Sequence, residues 1–153
     1  MAQGKKTLDK FINLDKLGWN LPRVKVVFYK DGRGRSPVLE WVRKLDQKAQ
    51  DKCFAKIGML REEGHALVRP AAAHLGGKLY ELRITSDRNE YRILYFFYEK
   101  TAVILCHSFI KKDKRVPKRE IKKALRRLGQ FVGSPKSYSF GGKNDGKQKK
   151  KRA

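Results

Sequence analysis

Hydrophobic and polar positions alternate most regularly within residues 78–112. This segment holds three apolar runs separated by short polar breaks, at 80–85, 91–98 and 102–110. Runs of this length, rich in aromatic and β-branched residues, predict an antiparallel meander of three strands. In the middle run Arg92 falls on the face opposite the odd-numbered aromatic and aliphatic positions. A charge inside a small sheet is costly unless it is paired or used, so these strands are the first place to look for function.

Local signals before the meander predict one more strand and two helices. Residues 24–30 form a β-branched and aromatic run that is typical of a strand. Ser36 followed by Pro37 predicts a helix start, because the hydroxyl caps a free N–H and proline suits the first helical position. Asp46 is expected to cap a second helix, and Gly64 to end it. Both helices carry an apolar stripe, so they are expected to form an antiparallel pair.

The remaining positions complete a fold of order β-α-α-β-β-β-α. Residues 65–77 predict a loop, and Pro117 opens a last helix. The expected fold is α+β, with an antiparallel sheet core, a helical pair and a C-terminal helix. Composition divides the chain into an N-terminal extension at 1–22, a folded domain at 23–133 and a disordered basic tail at 134–153. A short helix is expected in the extension, with disorder as the alternative.

The charge of the chain narrows the classes of partner. It carries 38 Lys and Arg against 15 Asp and Glu, a formal net charge of +23. A field of this size attracts polyanions, so nucleic acid is the expected partner, ahead of an anionic membrane surface or an acidic protein. The last helix is almost entirely basic outside its apolar face, with Glu120 as its acid, which favours contact with an anion. The tail can add further phosphate contacts.

Cysteine usage and the termini favour a cytoplasmic protein. Cys53 falls at a helical core spacing and Cys106 lies in an apolar strand, so both are expected to be buried thiols in a reducing compartment. Neither lies in a zinc-binding pattern. The N-terminus lacks the apolar region of a secretory signal, and the apolar runs are too short to span a membrane. The basic tail leaves a nuclear address open.

Four stretches of the chain form an ordered set: GRSPVLEWVRKL, GGKLYELRI, EYRILYFFYE and AVILCHSFIKKDKRVPKREIKKAL. Together they resemble the RelE/HigB superfamily of toxins, in its phage-derived, HigB-like branch, over about residues 24–132. The resemblance implies a RelE-like α+β fold and a ribosome-dependent mRNA endonuclease. It also implies a cognate antitoxin, expected to be a helix-turn-helix protein. In this chemistry the RNA 2′-hydroxyl attacks the adjacent phosphate, with no metal or other cofactor.

The resemblance assigns catalytic roles to basic residues of the meander. Arg92 matches a strand arginine that contacts the scissile phosphate, and Arg83 matches a second basic position. Lys111 and Lys112 match a basic pair of which one neutralises the transition state, and Lys112 is taken as the catalytic one. His107 precedes this pair and has an unperturbed pKa of about 6.5, which suits acid–base work. The positions expected to bind nucleic acid are Lys78, Arg88, Lys111, Lys114, Arg115, Lys118 and Arg119.

The chain departs from the superfamily in the groups that move protons. Residues 116–124 contain no tyrosine, although some members carry a catalytic tyrosine there. A lysine pair that acts as base in some members falls near Leu79 and Glu81. The proton carriers are therefore expected among His107, Glu81 and His74.

Non-catalytic interpretations stay open for several residues and for the whole chain. Glu81 and Arg83 are next-but-one neighbours on one strand face and could form a structural ion pair. His107 could be a hydrogen-bonded core residue. For the whole chain, the alternatives are a basic RNA- or ribosome-binding module on the same fold and a DNA-binding accessory protein.

Overall fold

The computed structural model describes residues 24–140. The predicted N-terminal extension and the tail beyond residue 140 lie outside the described residues. Five strands, three helices and one short 3₁₀ turn follow in chain order. They are β1 (Lys25–Phe28), α1 (Pro37–Arg43), α2 (Gln47–Glu63), the 3₁₀ turn (Gly64–Ala66), β2 (Ala72–Gly76), β3 (Leu79–Ser86), β4 (Asn89–Tyr98), β5 (Ala102–Lys111) and α3 (Lys118–Gly133).

The helix boundaries form where the capping residues predicted them. Ser36 accepts a hydrogen bond at 3.4 Å from the backbone N–H of Leu39, and Asp46 accepts one at 2.8 Å from Ala49. Each side chain satisfies a backbone donor that the first turn of a helix leaves unpaired. Gly64 ends α2 with a positive φ of 54°, a conformation that glycine adopts at little steric cost.

The sheet is mixed, whereas the sequence predicted an antiparallel sheet core. Its strand order is β1-β5-β4-β3-β2. β3, β4 and β5 form the predicted antiparallel meander, but β1 enters at the edge beside β5 and runs parallel to it. Two helices and the strands β2, β3 and β4 separate β1 from β5 along the chain, so local patterns do not determine this direction.

Residues 65–77 were predicted to form a loop, but they contain strand β2, so that prediction was wrong. β2 pairs antiparallel with β3, from Ala72 opposite Leu82 to Gly76 opposite Leu79. Alanine and glycine have low strand propensity, and the strand forms because a buried partner edge is available. The backbone N–H of Arg83 still bonds the carbonyl of Ala71 at 2.8 Å, and the segment 84–86 extends beyond the paired part of that edge.

Each face of the sheet carries its own core. α1 and α2 cover the face that holds Tyr91, Ile93 and Tyr95, while α3 covers part of the face that holds Leu94 and Phe96. The predicted alternation along β4 is therefore confirmed. The two free cysteines are buried, one in each core, and burial raises the pKa of Cys53 to about 11.

A register shift between β4 and β5 decides which side chains join Arg92 on its face. Tyr95 pairs with Leu105 and Leu94 pairs with His107, so Cys106 is an extra residue in β5. Such a bulge reverses the alternation that follows. His107 and Lys111 consequently lie on the same face as Arg92, where strict alternation from Cys106 would have placed Ser108.

Residues 134–140 fold back onto the outer edge of β1. Ser139 forms an isolated antiparallel bridge with Tyr29, and the rings of Tyr29 and Tyr138 stack at 5.7 Å. The backbone N–H of Phe140 also bonds the carbonyl of Phe28 at 2.9 Å. The predicted domain boundary at residue 134 lies before this packed segment.

Candidate active site

Charged side chains collect where α3 does not cover the sheet. α3 packs mainly against β5 and β4, and the far end of β3 and β4 holds a group that we call the open cluster. Its members are Glu81, Arg83, Glu90 and Arg92. The antiparallel register places Arg83 directly opposite Arg92. Like charges so placed repel, so carboxylates must compensate them.

Glu81 compensates both arginines from a buried position. Its Oε2 accepts a hydrogen bond from Nη2 of Arg83 at 3.3 Å, and its Oε1 lies 2.9 Å from Nε of Arg92. Glu81 is 3% exposed and Arg92 is 5% exposed. Neither of these two atoms has a hydrogen-bond partner among the described residues. The contact between Nε and Oε1 is therefore an ion pair without hydrogen-bond geometry. The carboxylate keeps two facing cations together in a partly dry site.

Glu90 is the exposed carboxylate of the open cluster, with 43% of its side chain accessible. Its Oε2 accepts a hydrogen bond from the Thr85 hydroxyl at 2.7 Å, and its Oε1 accepts two from Arg92 at 3.2 Å. The Thr85 bond, and then Arg92 and Lys111, lower the pKa of Glu90 against the opposing effect of burial. Glu90 is therefore ionised at neutral pH.

The two arginines differ in what they can offer a ligand. The guanidinium of Arg92 is turned to the protein, with bonds to Glu90 and to the carbonyl of Tyr91 at 3.0 Å. Arg83 has 26% of its side chain exposed. Its Nε is buried without a hydrogen-bond partner among the described residues. An incoming anion would thus meet Arg83 first, with Arg92 behind it.

A pocket of about 570 Å³ opens beside both arginines. It lies between α2 and the end of the β3–β4 hairpin. The lining residues are Lys52, Ala55, Lys56, Met59, Pro70, Arg83, Ile84, Thr85, Glu90 and Arg92. Pockets of this volume are typical of small-ligand sites.

His107 belongs to a second group on the same sheet face, which we call the covered cluster: His107, Glu120 and Arg127. Nε2 of His107 lies 2.8 Å from Oε1 of Glu120, and Nη1 of Arg127 donates to Nδ1 of His107 at 3.1 Å. Because arginine only donates, Nδ1 must accept, and the ring proton is on Nε2. Burial, and then Arg127, lower the pKa of His107 against the opposing effect of Glu120.

The other two histidines lie away from the open cluster. His74 on β2 is opposite Tyr80, on the α2 side of the sheet, and contacts the Gly77 carbonyl at 2.7 Å. His65 stacks on Phe97 at 3.5 Å between ring centroids. The structure therefore does not bring His74, a predicted proton carrier, together with the arginines.

The predicted basic residues divide between the two ends of the sheet. Lys111 pairs with Glu90 across the β4–β5 ladder, so it shares a face with Arg92. Lys112 lies one residue beyond β5 and is exposed. Arg88 lies in the β3–β4 turn at this same end, whereas Lys78 precedes β3 at the opposite end. Four further predicted residues are exposed and lie between the end of β5 and the first turn of α3: Lys114, Arg115, Lys118 and Arg119.

Several contacting residues were missed from the sequence. Glu90 lies two residues before Arg92 in the same strand, so both side chains are on one face. That spacing alone could have identified Glu90 as a neighbour of Arg92. Lys52 and Lys56 are four residues apart on α2, a spacing that places both amines on one side of the helix. Glu120 was noted as the acid of the last helix, but no local pattern links Glu120 or Arg127 to a histidine in β5.

Residues 24–140 lack two features. No group of three or more His, Cys, Asp or Glu side chains in this part of the chain is arranged to hold a metal ion. Among its helices, none has the length and apolar character needed to cross a membrane.

Comparison with known proteins matches the described domain to one family. The model of the family described as "Phage derived protein Gp49-like (DUF891)" matches residues 40–129, which is more than half of the chain. The matched region runs from α1 into α3 and contains the open cluster and the covered cluster. No curated protein matches the chain.

Proposed function

Because the chain belongs to the phage-derived Gp49-like family of toxin–antitoxin toxins, we propose that it is a HigB-branch endoribonuclease that cuts translated mRNA on the ribosome. The family lies in the RelE/HigB-like superfamily, so a cognate antitoxin partner comes with it. We propose that this antitoxin is a helix-turn-helix protein.

The open cluster is the observation that carries this proposal. Arg83 and Arg92 face each other across two strands, and Lys111 lies on the same face beside Glu90. Cleavage of RNA builds negative charge on a pentavalent phosphate, and positioned donors stabilise it by about 10²–10³-fold each. Arg83 supplies the exposed guanidinium, and Arg92 is held firmly behind it by two carboxylates.

The reaction balances without a bound cofactor. The 2′-oxygen of one nucleotide attacks its own 3′-phosphate, and the bond from phosphorus to the next 5′-oxygen breaks. The products are a 2′,3′-cyclic phosphate and a 5′-hydroxyl end. One proton leaves the 2′-hydroxyl and one reaches the departing 5′-oxygen, and the arginines compensate the charge between these steps.

Glu90 is the proton acceptor that we favour for the 2′-hydroxyl. It is the accessible carboxylate of the open cluster, whereas Glu81 is buried between the two arginines. His107 has both ring nitrogens occupied in the covered cluster, so we assign it to positioning α3. The lowered pKa of Glu90 makes it a weak base, and the ribosome would have to orient the mRNA to compensate.

A non-catalytic RNA- or ribosome-binding module is the second candidate. The specific observation for it is that no tyrosine occupies residues 116–124 and that His107 is turned away from the open cluster. Such a module would bind RNA or ribosomes through the same basic residues and yield no cyclic phosphate.

Cleavage of a defined mRNA by the purified full chain tests the proposal. Ribosomes, mRNA and protein are combined, and the new ends are mapped for cyclic phosphate. Arg83→Ala is expected to lower cleavage by about 10²-fold, while Arg61→Ala, an exposed arginine at the end of α2, is expected to leave it unchanged. Bound RNA without cyclic-phosphate ends selects the non-catalytic module. Ribosome-independent cutting of duplex DNA would reject both candidates.

A further inference from the structure

The pocket beside the arginines reaches beyond the phosphate site onto α2. It wraps the part of β3 that β2 leaves unpaired, so strand residues and helix residues line it together. On the strand side it is bounded by Arg83, Thr85 and Glu90. On the helix side, the pocket is lined by residues that the proposed reaction does not use.

Helix α2 carries two neighbouring stripes with different chemistry. The core stripe consists of buried residues at 49, 53, 57 and 60. The pocket stripe consists of Lys52, Ala55, Lys56 and Met59, at spacings of three and four residues. Residues so spaced lie on one side of a helix. The second stripe therefore presents two amines and an apolar surface to the same cavity.

The amines of this stripe are available to an anion. Nζ of Lys52 contacts the carbonyl of Thr85 at 3.3 Å, so the side chain bends over the edge of β3. Lys56 is half-buried in the pocket wall, and none of the other residues between 24 and 140 forms an ion pair or hydrogen bond with its amine. With Arg83 and Arg92, four cations line the pocket, against Glu90 in the lining and Glu81 buried behind the two arginines.

The apolar part of the lining completes a mixed site. Met59, Pro70, Ala55 and Ile84 contribute nonpolar surface next to the amines, and 39% of Met59 is exposed. A ligand that fits must carry negative charge at one end and a flat or apolar group at the other. A nucleotide has both features, and an apolar surface can pack against the face of any base.

We propose that this pocket holds the nucleotide adjoining the cleaved phosphate, with Lys52 and Lys56 binding its backbone phosphate and Met59 and Pro70 packing on its base. The inference deepens the proposed function, because it places the substrate strand across the edge of β3 from the arginines to α2. RNA is favoured over an acidic peptide because the pocket is continuous with the arginine pair.

Binding of a cleavage-resistant RNA measures the subsite without relying on activity. The probe is a 2′-O-methyl RNA trinucleotide, which lacks the attacking hydroxyl, titrated into the full chain at several salt concentrations. Each phosphate contact contributes about 0.7 to the slope of log affinity against log salt for a single strand. Lys56→Ala is expected to lower that slope by about 0.7. Lys44→Ala removes the same charge outside the pocket and is expected to preserve the slope.

A second variant tests whether Met59 packs against the base of the bound nucleotide. Met59→Ala is expected to weaken the trinucleotide roughly fivefold, because buried apolar surface is lost, with the salt slope unchanged. A trinucleotide without its central base is expected to bind wild type and Met59→Ala equally. Thermal unfolding of each variant checks that the fold is intact, since both side chains are partly exposed.

The outcomes separate the subsite from the proposed function. If wild type fails to cut mRNA but the salt slope still depends on Lys56, the subsite stands and the endonuclease is rejected. Equal slopes for Lys56→Ala and Lys44→Ala overturn the subsite, whatever the cleavage result. Absence of trinucleotide binding also overturns it, as does tighter binding of a hexaglutamate peptide that depends on Lys56, which would assign the pocket to an acidic protein.

Discussion

The open cluster and the covered cluster lie on the same sheet face and use the same kinds of side chain. In each, a buried carboxylate, Glu81 or Glu120, contacts a strand residue that was predicted to be catalytic. They differ in what lies above them: α3 closes over His107, whereas a pocket opens beside Arg83 and Arg92. The residue types of the two clusters are alike, and the covering helix is what differs between them.

This difference changes what each cluster can do. Where α3 excludes solvent, every donor and acceptor of His107 has a protein partner, and the group joins the helix to the sheet. In the open cluster, the buried Nε atoms of Arg83 and Arg92 lack a hydrogen-bond partner among residues 24–140. Unsatisfied donors beside a pocket are suited to receiving an anionic ligand.

Removal of Arg92 gives the largest expected effect. Arg92→Ala leaves Glu81 buried beside a single cation, and breaking a buried ion pair costs about 3 kcal/mol of unfolding free energy. Cleavage is expected to fall by about 10²–10³-fold as well. Urea unfolding and cleavage of ribosome-bound mRNA measure the two losses.

A double variant separates these losses. Glu81→Leu with Arg92→Leu removes both charges together, and an apolar pair of this kind is often tolerated in a buried position. We expect stability close to wild type while cleavage stays low. Restored cleavage in the double variant would assign the open cluster a purely structural role.

Loss of Glu120 from the covered cluster is expected to lower stability and leave cleavage unchanged, which is the reverse of the result expected for the double variant. Glu120→Ala leaves the Nε2 proton of His107 buried without its acceptor, which costs about 1–3 kcal/mol of unfolding free energy. The folded fraction is expected to cut mRNA at the wild-type rate. A fall in cleavage without a loss of stability would show that the covered cluster takes part in the chemistry.

The pH dependence of stability follows from the lowered pKa of His107. The folded chain holds this proton less tightly than the unfolded chain, whose histidine pKa is about 6.5. The free energy of unfolding should therefore decrease as pH falls below about 6.5, by up to about 1.4 kcal/mol per pH unit for one proton. Urea unfolding of wild type and His107→Gln measures this slope, which should be smaller in the variant. Equal slopes would mean that other groups cause the decrease.

The lysine pair gives the smallest expected effect. Lys111 lies on the face of the open cluster beside Glu90, while Lys112 follows the strand end. Lys111→Ala is expected to lower cleavage roughly fivefold, a partly exposed charge being worth about 1 kcal/mol, and Lys112→Ala to have less effect. Steady-state cleavage at matched salt compares the two. A larger loss for Lys112 would return the catalytic role to the residue that the sequence favoured.

Local chemistry accounts for the parts of the fold that the sequence predicted. Ser36 and Asp46 determine helix starts through bonds to their own first turns, and the meander strands have clear alternation. The direction of β1 and the existence of β2 depend on edges that distant segments provide. The short sequences of β1 and β2 do not indicate which strand edge each of them pairs with.

The residue types of the candidate site could be read from the sequence, but their arrangement could not. Arg83 and Arg92 were identified from charge inside strands, and the register then paired them. The extra residue at Cys106 moved His107 to the face of Arg92, where helix α3 covers it. A bulge shifts every later side chain, and alternation alone cannot locate it.

The segment 134–140 places Phe140 at the outer edge of β1. Its backbone N–H bonds the carbonyl of Phe28, and two strands lie between β1 and β3. Three strand spacings, roughly 14 Å in total, therefore separate Phe140 from the line of Arg83. A fluorophore attached at position 140 would lie at the opposite edge of the sheet from the pocket. The bridge between Ser139 and Tyr29 also covers that edge against strand addition by a second molecule.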